Sequence, residues 1–145
     1  MTVSISKLEV ALRLFIEDEK QAALMFKAVQ DDYFSAENAL NQALKYRVEY
    51  EELSRGVRPS KFALLQIRAA RSFLANIDSL IEKQRSILRT KYEALEAKRE
   101  QWQLLRAKTK SIEALISSRR NSRLIADEKR EQGRLDDLFG RVSPH

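Results

Sequence analysis

The sequence predicts an all-α protein, a long antiparallel two-helix coiled-coil hairpin whose second helix overhangs the first. Three observations carry this reading. The chain holds only three glycines and two prolines in 145 residues, so helix breakers are scarce. Charged residues make up 33% of it with both signs interspersed, a composition that suits long helices rather than a sandwich or a doubly wound sheet. Apolar residues, 43% of the chain, recur at regular spacing, which separates it from a disordered chain of similar charge.

Helix one is expected over residues 4–54. Steps of seven give Leu8, Phe15, Ala22, Val29, Ala36, Ala43 and Tyr50. A companion row four residues on gives Leu12, Glu19, Phe26, Tyr33 and Leu40, broken only by Glu19. The turn is expected over 55–59. Gly56 can end a helix in a left-handed conformation. Pro59 disfavours helix at Arg58, and Ser60 can cap the next helix.

Helix two is expected over 60–138, with a short tail at 139–145. Its seam is Ile67, Leu74, Ile81, Leu88, Leu95, Trp102, Thr109 and Ile116. The companion row is Ala70, Ile77, Gln84, Lys91, Lys98, Leu105 and Ile112, so the stretch from Gln84 to Lys98 is expected to pack less tightly or sit partly open. A seven-residue seam implies a left-handed supercoil. Helices this long gain their stability by lying side by side. The whole, 1–145, reads as a single coiled-coil domain. The alternative, a compact three- or four-helix bundle, needs bends that no breaker marks.

A short connection favours antiparallel neighbours. Folding about residue 57 sets Tyr33 near Ile81 and Ala43 near Arg71. The start of helix one then reaches about residue 112, and about 25 residues of helix two overhang, with a paired shaft of roughly 75 Å.

Charge is divided between the arms. Residues 1–54 carry six basic and ten acidic side chains, whereas 83–110 carry nine basic and three acidic. Opposite arms therefore favour each other over self-pairing. The net charge of +6 raises nucleic acid as a partner. No dense basic run stands with aromatics, and no zipper follows a basic region, so none is expected. Apolar residues also stand outside the seam: Phe73, Leu80, Ile87 and Ala94 on helix two, and Leu44, Tyr46 and Leu53 on helix one. A stripe this broad implies either a third helix or a docking face.

Catalytic, cofactor and metal sites are not expected. Cysteine is absent and the one histidine is His145. The glycines, 56, 133 and 140, form no phosphate loop. The acidic pairs Asp31/Asp32 and Asp136/Asp137 are of the kind common on exposed helices, and Lys and Glu at helical spacing read as intrahelical ion pairs. No secretory leader is seen, and no apolar run approaches the ~20 residues of a membrane span. A cytoplasmic protein without membrane insertion is expected.

Three local strings resemble the FliJ family. The first is Tyr46-Arg47-Val48-Glu49-Tyr50 before the turn. The second is Phe73, Ile77, Leu80, Ile81 and Gln84 after it. The third is the ending from Glu131 to Arg141, with Gln132, Leu135, Asp136 and Asp137 in the family's spacing. The resemblance spans nearly the whole chain. It implies a cytoplasmic hairpin of the flagellar type III export apparatus, peripherally associated with the inner membrane. Such a hairpin binds a hexameric export ATPase as a central stalk, promotes its assembly, and engages the transmembrane export gate protein and export chaperones.

Carried over position by position, the gate-binding face is Ala43, Tyr46, Tyr50, Phe73, Ile77, Leu80 and Gln84. Ala43 and Leu80 differ in size from the family's usual residues, and Gln84 stands where a histidine occurs. The overhang, 117–141, is the expected ATPase tip, with Arg119, Arg120, Arg123, Arg130, Gln132, Leu135, Asp136 and Arg141 as its contacts. A free stalk is expected to be monomeric. The rival readings are the equivalent stalk of a virulence-type secretion system and an unrelated dimerising adaptor.

Overall fold

The computed structural model describes residues 3–55 and 61–142, with side chains described for 3–55 and 64–140. Two helices account for nearly all of it: α1 (Ile5–Arg55) and α2 (Lys61–Val142). No strand occurs among the described residues. Gly56, Pro59 and Ser60, on which the turn was argued, lie outside them.

Ser4 starts α1 as an N-cap. Its Oγ accepts from the Lys7 backbone N–H at 3.3 Å, and its carbonyl accepts from Leu8 N–H at 3.1 Å. These contacts satisfy donors that a helix start leaves open. At the other end α2 runs on to Val142, through the expected start of the tail at Phe139. Gly133 and Gly140 are helical, with nothing within 4 Å of where a Cβ would stand. One glycine costs a helix only about 1 kcal/mol, and no proline intervenes before Pro144.

The seam is where the heptads place it. On α1, Leu8, Ala22, Ala36, Leu40 and Ala43 are buried; on α2, Ile77, Ile81, Leu95, Thr109 and Ile116 are. The remaining seam positions, Glu19, Gln84, Lys91 and Lys98 among them, are half-buried. Period-seven patterning thus identified the packed stripe of both helices.

Packing divides the chain into two units, each containing part of both helices. One comprises Ala23–Gln101. Its core is Leu40, Ala43, Ile77 and Ile81, flanked by Leu44, Tyr50 and Leu88. Leu95 is buried farther along the same unit, so the polar companions from Gln84 to Lys98 do not hold the seam open there. Lys91 bonds Asp32 at 3.7 Å, and the Arg99 guanidinium lies 5.7 Å from the Phe26 ring centre. Tyr33 and Tyr92 meet at 6.0 Å.

The other unit comprises Met1–Ala22 with Trp102–His145. Leu8, Ala22, Thr109 and Ile116 are its buried residues. Arg120 reaches Glu9 across the helices. From Asn121 to Gly140 every residue is exposed.

The register differs from the expected one. Tyr50 lies against Phe73, Arg47 against Asp78 and Asp32 against Lys91. The arms therefore fold about residue 62, and Tyr33 meets Tyr92 rather than Ile81. Seam residues must face seam residues. Folding about 57 would have set Ala43 against Arg71, which lies off the seam. In the other unit, the start of α1 comes beside Arg119, Ser122 and Arg123, so the overhang is shorter than expected.

Thr109 shows how a polar residue is accommodated in the seam. It is buried, and its Oγ1 donates to the Leu105 carbonyl one turn back, at 3.0 Å. The hydroxyl needs nothing from α1. Thr109→Val removes a locally satisfied donor and keeps the branched shape. It is expected to leave stability unchanged or raise it by up to about 1 kcal/mol, read from the urea midpoint.

Candidate functional site

Two surfaces hold the candidate residues. The first lies near the turn-proximal ends of the helices, in the Ala23–Gln101 unit. Its residues arise from both arms, because antiparallel pairing sets the positions flanking the seam on α1 beside those flanking it on α2. Tyr50 and Phe73 stack with ring centres 4.1 Å apart and planes tilted by 36°. Tyr46, one turn before Tyr50, is 44% exposed, and its hydroxyl accepts from Gln42 Nε2 at 3.1 Å. Leu80 is 45% exposed and Phe73 39%. Tyr50 and Gln84 are half-buried.

Ala43 and Ile77 belong elsewhere. Both sit in the core between the arms. They face each other's helix and act on a partner only through the residues they support. The carried-over face therefore separates into a presented part, Tyr46, Phe73 and Leu80, and a supporting part beneath it.

An open groove of about 370 Å³ adjoins the stacked rings, lined by Tyr50, Leu53, Gln66, Ala69, Ala70 and Phe73. Gln66 and Ala69 were not singled out in the sequence. The small pair Ala69-Ala70 was visible there, but only the register brings it beside Tyr50 and Leu53. On the helix face carrying Asp78, Arg47 Nε donates to Asp78 Oδ1 at 2.6 Å. That bond, and then the charge of Asp78, hold the guanidinium above its ordinary pKa. The pair is exposed, so its role is directional more than stabilising. Its polarity reverses the acidic-arm, basic-arm scheme that Asp32–Lys91 and Glu9–Arg120 follow.

The second surface is the end of α2. Here the candidate residues fall into two groups. Arg119 is half-buried, Arg120 is bonded to Glu9, and Arg123 lines an open groove with Val3, Ser4, Ile5 and Ser6. These three belong to the paired part. Arg130, Gln132, Leu135 and Asp136 are exposed on the unpaired stretch. Arg130 stands 3.9 Å from Asp127, and Arg134 bonds Glu131 at 3.1 Å. The Arg141 side chain lies outside the described residues. The ion pairs at helical spacing, such as Glu82–Arg85 and Glu96–Arg99, are the intrahelical kind expected.

No group of three or more potential metal ligands occurs among the described residues. No described helix is long and apolar enough to cross a membrane. What the geometry offers is docking: an aromatic patch at one place and a charged, unpaired helix at another.

The family model described as the flagellar FliJ protein matches residues 4–143, a span that includes both helices. The chain belongs to the FliJ family. No curated protein and no solved structure matches it. FliJ is a non-catalytic component of flagellar protein export, and membership gives this chain a role there. An adaptor of unrelated descent is thereby set aside. The three strings that resembled FliJ fall on the two surfaces just described. The first two lie about the stacked rings, and the third lies on the exposed end of α2.

Proposed function

We propose that this FliJ-family chain is the central stalk of the flagellar export ATPase. In this reading it is one coiled-coil domain, 1–145, monomeric when free. It works in the cytoplasm beside the inner-membrane export apparatus. The unpaired end of α2 enters the hexameric ATPase and promotes its assembly. The aromatic patch about Tyr46, Phe73 and Leu80 engages the transmembrane export gate, and the hairpin also receives export chaperones.

One observation carries the reading most directly. A helix pair packed along its seam ends in a stretch, Asn121–Gly140, with no residue buried at all. In proteins most of a helix's stability comes from tertiary packing rather than from propensity. Such an extension gains its order from the paired helix behind it and from whatever receives it. Charged contacts on it act at short range and weaken with salt.

The deciding experiment mixes the purified chain with the export ATPase of the same organism and follows ring formation and ATP turnover. Stimulation is expected with fewer chains than ATPase subunits. Absence of binding across a range of salt concentrations would sink the stalk reading and leave the hairpin.

The gate face has its own test. Phe73 supports Tyr50, so its loss changes two residues at once. Tyr46→Ala with Leu80→Ala removes two exposed side chains and leaves the stacked pair. This double variant is expected to weaken gate binding about tenfold or more while ATPase stimulation stays at the wild-type level. Gate titration by fluorescence anisotropy reads the first, and turnover the second.

A further inference from the structure

The seam changes character after Ile116, where α2 passes the start of α1. Up to Ile116 the α2 rows that face α1 are mostly apolar, and each of their residues is buried or half-buried. Continued in the same heptad phase they read Arg119, Arg123, Ala126, Arg130 and Gly133. No apolar side chain larger than alanine remains on that face. The larger apolar residues of the stretch, Leu124, Ile125, Leu135, Leu138 and Phe139, are all exposed. At 3.6 residues per turn they share the opposite half of the helix. Glu128 and Glu131 lie among them. Arg119, Arg123, Arg130 and Arg134 share the other half, with Asp127 and Asp137.

We propose that the unpaired end of α2 is a two-faced tip, held by a surrounding partner through apolar contacts on one side and through acidic groups on the other. The inference rests on the stalk reading and adds the chemistry of its contact. A flat partner or a bilayer surface would cover one face and leave the other. Two exposed, opposed faces on one helix fit a partner that encloses it. The arginine face selects acidic side chains in that lining. The face with Glu128 and Glu131 between apolar patches selects apolar ones. A ring of identical subunits then meets the tip unequally, since the tip has no symmetry of its own.

Two double variants of the full chain separate the faces. Leu135→Ser with Phe139→Ser alters the apolar side, and Arg130→Gln with Arg134→Gln the basic side. All four positions are exposed, so circular dichroism is expected to match the wild type in both. Binding to the purified export ATPase is measured from low to high salt. The apolar variant is expected to bind about tenfold more weakly at every salt concentration, with the wild-type salt dependence. The basic variant is expected to lose affinity at low salt and most of the salt dependence.

Two variants with the same salt dependence, or no effect of either while the wild type binds, would overturn the two-faced tip and spare the stalk. A wild type that fails to bind would instead remove the stalk reading beneath it. A wild type that sediments alone as a dimer, and as a monomer after Leu135→Ser with Phe139→Ser, would assign the apolar face to a second copy and overturn the proposal.

Discussion

A chain ending at Ile125 is expected to keep the melting temperature of the full-length protein and to lose stimulation of the export ATPase. Every residue it lacks up to Gly140 is exposed, so no packing against α1 goes with them. The contact of Arg120 with Glu9 remains, as does the groove that Arg123 forms with the start of α1. Arg130, Gln132, Leu135 and Asp136 are gone. Turnover measured beside thermal denaturation at 222 nm checks both halves. Full stimulation by the shortened chain would place the tip at Arg119, Arg120, Arg123 and the first turn of α1.

The position of the cut matters. The register expected from the sequence would have put it after Ile116. That shorter chain also loses half-buried Arg119 and the Glu9–Arg120 contact, so a fall in stability would be mixed with the loss of the tip. Comparing chains ending at 116 and 125 separates the two effects.

Ile81→Ala is expected to cost about 2–5 kcal/mol of stability, and Ile77→Ala a similar amount. Each isoleucine is 4% exposed and belongs to the core cluster. The α1 residues beside them are Leu40 and Ala43, and the methyl of Ala43 is too small to fill the space left behind. In a two-helix hairpin no described side chain is sequestered completely, so stability is spread along the seam and a well-buried layer counts heavily. Leu80→Ala, next along the chain but 45% exposed, is expected to change stability by about 0.5 kcal/mol or less. Urea denaturation of the three variants tests the contrast. Equal losses at Leu80 and Ile81 would mean that the off-seam row is packed rather than presented.

The candidate surfaces were legible to different degrees. Tyr46, Phe73 and Leu80 were marked by apolar character outside the heptad rows, and they are exposed as that pattern implies. Ala43 and Ile77 entered the same set by resemblance, though their own heptad positions already placed them inside the seam. The acidic and basic arms foretold the Asp32–Lys91 and Glu9–Arg120 pairs but not Arg47–Asp78, because net charge over a segment does not say which side chain reaches across. The division of the tip residues into paired and unpaired groups was hidden as well, since it depends on where α1 stops along α2.

The sequence by itself determined the two helices and the stripe each buries. Breakers are scarce enough to leave one turn, and a seven-residue repeat fixes which side of each helix is apolar. Only the tertiary structure decided the register. Sliding one arm by a heptad returns seam to seam, so periodicity cannot choose between such alignments. Within Ala23–Gln101 the observed register packs small Ala43 and larger Leu40 with Ile77 and Ile81. Packing to constant volume between the helices is a property of the pair, and no pattern within either helix records it.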